Sequence, residues 1–276
     1  MGDGASVIKR AAATIREADV FVITAGAGMG VDSGLPDFRG DHGFWQAYPA
    51  YAQLGLSFVE CATPQHFIKD PHFAWGFYGH RTNLYRDTIP HDGFNIIRKW
   101  IEHKNAEYFV VTSNVDGQFQ KAGYDEERIY EVHGSIHWLQ CQAHCSENIW
   151  RNDEIFNIDE TAMRALDPLP RCGVCGKVCR PNILMFGDSS WLHDRTLKQN
   201  QAFDRFLKNN SSRRIAVIEL GAGSAIPTIR MTSERIGLKK NATVIRINPR
   251  EPHINQPHVS MPCDALAGLK QINELV

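Results

Sequence analysis

The sequence predicts an α/β protein: a doubly wound parallel sheet carrying a helical insertion and a small metal-stapled module. Three observations lead there. Short, unbroken β-branched runs alternate with segments of helical apolar spacing, which is the pattern of parallel βαβ units. Two of those runs pass directly into glycine-rich turns. Four cysteines in two close pairs interrupt the alternation within a polar stretch.

The opening segment places Val7, Ile8, Ala11 and Ile15 on one helical face. Val20 to Ile23 follows as a strand buried on both sides, and the glycine-rich turn Thr24 to Gly34 comes after it. Residues 43–90 contain no clear strand and are dense in aromatics, among them Phe44, Trp45, Tyr48, Phe58, Phe67, Trp75, Phe77 and Tyr78. This stretch reads as a helical insertion. A helix bearing Phe94, Ile97 and Ile101 then leads into the strand Tyr108 to Thr112, and Ile129 to Val132 reads as a third strand. Residues 139–182 form the cysteine-bearing module. Ile215 to Leu220 and Val244 to Ile247 complete the strands, and Ala265, Leu266, Leu269 and Ile272 mark a closing helix. At about 150 residues per domain, 276 residues make two units or one large α/β unit with insertions. The second is expected here: one unit spanning 1–276, with its core in 1–42, 91–138 and 183–276.

Composition narrows the function. The chain is 43% apolar, enough for a sizeable core, so a disordered chain is excluded. The net charge of −1 lacks the basic surplus of a general nucleic-acid or anionic-membrane binder. No apolar run is long enough to span a bilayer. Met1 to Ser6 fits the short N-myristoylation pattern, but no apolar leader is evident. Seven cysteines without an export signal read as thiols or metal ligands, and the expected location is cytoplasmic.

Four motifs carry chemistry. Gly26, Ala27 and Gly28 follow a buried strand, where glycines let the backbone approach a pyrophosphate. The third glycine falls at Gly30, so the dehydrogenase register is not met. Ser113, Asn114 and Asp116 stand at the end of another strand, where an amide and a carboxylate can reach a ligand crevice, or simply end the strand in an Asx-turn. His133 stands between a strand end and Gly134, a position suited to a general base. Cys141-x3-Cys145 and Cys172-x2-Cys175 have the paired spacing of a structural zinc site, with His144 or Cys179 as competing ligands.

The order of these motifs, continued by Pro181 to Asp188, Gly221-Ala222-Gly223-Ser224 and Ile247-Asn248, resembles the sirtuin family of NAD-dependent protein deacylases over nearly the whole chain. The resemblance implies a Rossmann-like core, a zinc-ribbon module, NAD as a consumed co-substrate, structural zinc, and an acylated-lysine protein or peptide as partner. It places the NAD phosphates and nicotinamide ribose on Gly26, Ala27, Gly28, Asp37, Phe38 and Arg39. It gives the nicotinamide pocket to Ser113, Asn114 and Asp116, and the general base to His133. The adenosine half falls to Gly221, Gly223, Ser224 and Asn248, with Asp264 and Ala265 near the adenine. Phe186 and Gly187 would pair with the substrate backbone as an added strand. The products would be nicotinamide, O-acyl-ADP-ribose and free lysine. Mono-ADP-ribosyl transfer and NAD hydrolysis are the alternatives within the family.

Some positions depart from the family pattern. Ser113 stands where Gln is usual, Gly221-Ala222-Gly223 where Gly-Thr-Ser is usual, and no acidic residue lies two after Asn248. Within Trp75 to Arg81, the pair Tyr78 and Arg81 resembles the Tyr-x-x-Arg of one sirtuin class that recognises acidic acyl groups such as succinyl. The plainer reading makes Tyr78 core and Arg81 a solvated surface residue. Gly76 and Gly79 also cast doubt on a regular helix there.

Overall fold

The computed structural model describes residues 4–37, 44, 48–53 and 55–276. Met1 to Asp3, Phe38, Arg39 and Trp45 therefore lie outside the described residues. Strand β1 (Val20–Ala25) sits inside a six-stranded parallel sheet. The others are β2 (Glu107–Thr112), β3 (Ile129–Glu131), β9 (Ile215–Leu220), β10 (Ala242–Ile247) and β11 (Val259–Met261). The order across the sheet is β11-β10-β9-β1-β2-β3. Within this sheet, three-residue β11 is the strand that sequence periodicity did not reveal, being too short to show a pattern.

Both faces of the sheet are covered, which is why β1 is apolar from Val20 to Ile23 and buried throughout, its one polar side chain, Thr24, being hydrogen-bonded to the Ser233 hydroxyl at 2.8 Å. Phe21 and Ile23 pack into one core with Ala11 and Ile15 of α1 (Gly4–Glu17), Ile97 of the helix Asp92–Lys104 and Leu269 of the helix Ala265–Asn273. Val20 and Val22 pack on the other side with Phe203 of the helix Asp194–Asn209 and Ile229 of the helix Thr228–Gly237. Side chains alternate across a strand, so the unbroken apolar run Val20 to Ile23 feeds two cores at once.

A separate core joins the insertion to the metal module. The module's sheet is antiparallel, with β4 (Gly134–Cys141) between β5 (Ile149–Arg151) and β8 (Cys179–Ile183). A small hairpin, β6 (Ile158–Asp159) and β7 (Arg164–Ala165), packs on the helix Pro71–Asp87. That helix is regular over 17 residues. Its two internal glycines serve close approach: a Cβ on Gly76 would fall 1.9 Å from the Met163 carbonyl oxygen, and one on Gly79 would fall 2.9 Å from the Phe156 ring. Trp75 stacks on Phe156 with ring centroids 4.7 Å apart. Among the described residues, no helix is long and apolar enough to cross a membrane.

Candidate active site

Register brings the motifs together. Ala25 at the end of β1 lies opposite Thr112 of β2 and Leu220 of β9, and Thr112 lies opposite Glu131 of β3. The residues just beyond these ends are Gly26, Ser113, Gly221 and Val132, so four loops rise at one edge of the sheet. The chain fills the sheet outward from β1 through β2 and β3, then returns to begin again with β9 on the other side. Ligands of doubly wound sheets bind at such a reversal of strand order, outside the carboxyl ends.

A cavity of about 750 Å³ opens there. Of the residues singled out in the sequence, Gly26, Ala27, Asp37, Ser113, Asn114, Asp116, His133, Gly223, Ser224, Tyr78, Arg81 and Phe186 line it. Gly28, Gly221, Asn248, Asp264, Ala265 and Gly187 are not among the lining residues. Three of these shape its wall from behind. A Cβ on Gly28 would fall 2.7 Å from the Gly221 Cα, so only glycine lets the two turns touch. Asn248 is fully buried; its Nδ2 donates to the Ala222 carbonyl at 2.8 Å, and its Oδ1 accepts from the backbone of Arg250 and Glu251. Asp264 precedes the last helix, whose Leu266 N–H is capped by Asp32 at 2.8 Å.

The polar floor is preorganised. Asn114 Nδ2 donates to the Gly26 carbonyl at 3.1 Å, tying the loop after β2 to the loop after β1. Asp116 accepts from the Gln118 N–H at 3.0 Å. Burial pushes its carboxyl up to about 6, against the Gln118 hydrogen bond and with nearby Glu131 adding to the rise. His133 sits where the chain leaves the parallel sheet for the antiparallel one. The turn is made by Gly134 at φ +78°, where a Cβ would fall 2.1 Å from the Asn182 carbonyl oxygen. The His133 carbonyl accepts from Leu184 N–H at 2.9 Å, which fixes its backbone. Burial lowers the His133 pKa, partly offset by a hydrogen bond to the Ser113 backbone. The imidazole is therefore neutral near pH 7, and with one nitrogen donating to that backbone the other can accept a proton.

Sequence reasoning missed two cavity residues. Glu251 lies three positions after Asn248, not two, and accepts from the Ser224 N–H at 3.1 Å and from the Ser224 hydroxyl. It supplies the carboxylate absent from the expected position. Tyr85, one turn beyond Arg81, is the other; its hydroxyl accepts from Arg81 Nε at 3.0 Å and Nη2 at 2.8 Å. Arg81 is 5% exposed, so it is not a solvated surface residue. An i to i+4 aromatic in an aromatic-rich helix gave no signal of its own. Asp37 pairs with Arg250 at 3.1 Å across the cavity mouth.

The segment carrying Phe186 is fastened from below. Arg180 and Asp188 form a fully buried ion pair, and Asp188 also accepts from the Met185 N–H at 3.3 Å and the Ser190 N–H at 2.9 Å. The Phe186 N–H is taken by the Ala62 carbonyl at 3.0 Å, and Gly187 adopts φ +63°.

The Sγ atoms of Cys141, Cys145, Cys172 and Cys175 all lie within 4.8 Å of one another. Cys141 and Cys175 are 3.6 Å apart, and Cys145 and Cys172 are 3.4 Å apart. Tetrahedral zinc with Zn–S bonds of about 2.3 Å puts its sulfurs about 3.8 Å apart, so the donor set fits zinc. Cys179 is buried outside the cluster, and His144 is turned to the Ser190 carbonyl. None of the four clustered cysteines lines the cavity, which makes the metal structural.

Residues 26–216 match the model of the Sir2 family. An NAD-dependent protein deacylase of Aquifex aeolicus (strain VF5) is 26% identical over 252 residues, covering 91% of this chain and 92% of that protein. One from Thermococcus kodakarensis is 31% identical over 184 residues, covering 66% of this chain and 65% of that protein. A Sir2 homologue solved in complex with NAD superposes with a TM-score of 0.70 at 23% identity, covering all of this chain and 94% of that one, a likeness of fold. With its family model spanning more than half of the sequence, the chain belongs to the Sir2, or sirtuin, family.

Proposed function

We propose that the protein is an NAD-dependent protein-lysine deacylase, acting on acylated-lysine proteins or peptides and releasing nicotinamide, O-acyl-ADP-ribose and free lysine. The observation that carries this reading is a neutral His133 facing the same cavity as Asn114 and Asp116, in a chain of the Sir2 family whose relatives are named as deacylases. NAD supplies a ribose carbon made electrophilic by its cationic nicotinamide leaving group. The chain's own residues do the rest. The Gly26 to Gly28 turn brings backbone to the phosphates, with Asp37, Phe38 and Arg39 following it. Ser224 and Glu251 bound the adenosine end. Asn114 and Asp116 define the nicotinamide end, where an ionised carboxylate favours positive charge. His133 accepts a ribose hydroxyl proton, which lets that oxygen attack the acyl carbon. A base so placed contributes about 10²–10⁴ in rate.

By this reading the core of 1–42, 91–138 and 183–276 holds NAD, the insertion 43–90 holds the acyl chain, and the module 139–182 holds structural zinc through Cys141, Cys145, Cys172 and Cys175. Phe186 and Gly187 offer the exposed edge for substrate backbone. Tyr78 and Arg81 receive the acyl end, which favours acidic acyl groups. The seven unbridged cysteines support a reducing, cytoplasmic setting.

The test is NAD consumption with and without acetyl- and succinyl-lysine peptides, followed by mass spectrometry. Deacylation requires loss of NAD only when peptide is present, with free lysine formed. Loss without peptide would make it an NAD hydrolase. ADP-ribose attached to protein without deacylated peptide would make it a transferase.

A further inference from the structure

Asp116 is held in place by a histidine that does not itself line the cavity. The loop after β2 and the start of β4 run side by side, joined at three successive points. The His133 ring bonds to the Ser113 backbone. The Ile136 N–H donates to the Val115 carbonyl at 3.0 Å. His137 Nε2 lies 2.9 Å from the Asp116 carbonyl oxygen. A carbonyl only accepts, so Nε2 carries the ring proton and donates it there. Gly117 follows at φ +69°, and a Cβ on it would fall 2.6 Å from His137 Cδ2. A glycine in a turn is free to flip the peptide before it. Here the imidazole lies against Gly117 and holds that peptide's oxygen, so the flip is blocked. His137 is fixed in turn by β4 and its neighbour. Its carbonyl accepts from the Asn152 N–H at 2.9 Å, and Asn152, 3% exposed, donates from Nδ2 to the Ile136 carbonyl at 2.9 Å. On the far side of the turn the Gln118 N–H holds the Asp116 carboxylate, and Gln118 Nε2 donates to the Tyr85 carbonyl at 3.0 Å. Asp116 therefore meets the cavity from a backbone gripped on both sides.

We propose that His137 is a positioning residue for the nicotinamide end of the cavity: by holding the Asp116–Gly117 peptide it fixes where the Asp116 carboxylate stands, and through it the orientation of the nicotinamide ring. This rests on the reading of Asn114 and Asp116 as the nicotinamide end. A carboxylate on a loose turn has to be ordered when the ligand arrives, and that ordering is subtracted from binding. The ADP-ribose half of NAD lies on other loops and does not depend on this turn.

The experiment compares wild type with His137→Phe, which keeps a ring but has no donor, His137→Ala, which removes the bulk as well, and His137→Gln, which restores an amide donor. Inhibition by nicotinamide, kcat and KM for NAD and for acyl-lysine peptide, and direct binding of ADP-ribose are measured, with thermal midpoints and zinc content alongside. The two donor-free variants are expected to raise the nicotinamide inhibition constant and the NAD KM about three- to tenfold, the effect of one hydrogen bond. Peptide KM, zinc content and ADP-ribose affinity should stay at wild type, and His137→Gln should recover most of the loss. Unchanged nicotinamide inhibition in the donor-free variants overturns the role of His137. ADP-ribose binding weakened as much as nicotinamide binding marks a merely structural role and overturns it too. Asp116→Asn tests the reading beneath: if it raises the nicotinamide inhibition constant that reading stands whatever His137 does, and if it leaves the constant unchanged both fall.

Discussion

Gly221 and Gly28 touch through their backbones: a Cβ on Gly221 would fall 2.4 Å from the Gly28 Cα, and Gly221 holds φ +58°. The turns after β9 and β1 thus form one wall at the reversal of strand order. This places the glycines' first duty in fitting loop to loop, with the cavity as the consequence.

Gly221→Ala is accordingly expected to combine left-handed strain with a clash, costing about 1–3 kcal/mol for the backbone alone, and to weaken NAD binding with it. Gly34→Ala is the control. Gly34 also has positive φ, at +86°, but a Cβ there meets nothing within 4 Å. It should lower the melting temperature while leaving NAD affinity near wild type. Calorimetry and NAD titration on both variants check this; equal NAD affinities for the two variants would remove the role given to the glycine contact.

Asp116 is predicted to trade stability for function. Its folded-state pKa of about 6 lies above the ordinary value of 3.8. A raised carboxyl pKa favours the folded state while the group is protonated, so that contribution is full below 3.8 and is lost as pH rises through 6. Asp116→Asn keeps an acceptor for the Gln118 N–H and carries no charge. At pH 7 to 8 it should be more stable than wild type by on the order of 2–3 kcal/mol, with the gain vanishing towards pH 4. It should also lose deacylation. In wild type, activity should fall as pH drops through 6 and Asp116 protonates. Denaturant melts at several pH values decide the point; a gain independent of pH would contradict it.

The structural metal gives a separate prediction. One zinc should copurify, and Cys172→Ser should lose it along with the β5-β4-β8 sheet, because structural zinc supplies folding free energy. Cys179→Ser should keep it, since Cys179 lies outside the cluster. Elemental analysis of both variants distinguishes them, and zinc lost from Cys179→Ser would show a wrong ligand set.

The fold was legible where burial on two faces forces continuous apolar runs, as in Val20 to Ile23 and Ile215 to Ile218. His133, Asn114 and Asp116 could be found because they stand at strand ends, where register alone brings them to one cavity. Glu251 could not, because a one-residue shift from the expected spacing hides a carboxylate in a charged loop. Tyr85 was hidden among ring-forming residues whose neighbours are core. Gly76 and Gly79 misled in the other direction: propensity counts the cost of helical glycine, and only the packed hairpin at Met163 and Phe156 reveals the reason for it.

Coupling between the two substrates through His133 is read from one assay: NAD consumed and lysine freed, counted together for wild type and His133→Ala on an acyl-lysine peptide. Wild type should free one lysine for each NAD consumed and consume little NAD without peptide. His133→Ala should stay folded, still bind NAD, and lose deacylation by about 10²–10⁴. Lysine release by folded His133→Ala at the wild-type rate, or NAD consumed by wild type without lysine release, would contradict the mechanism.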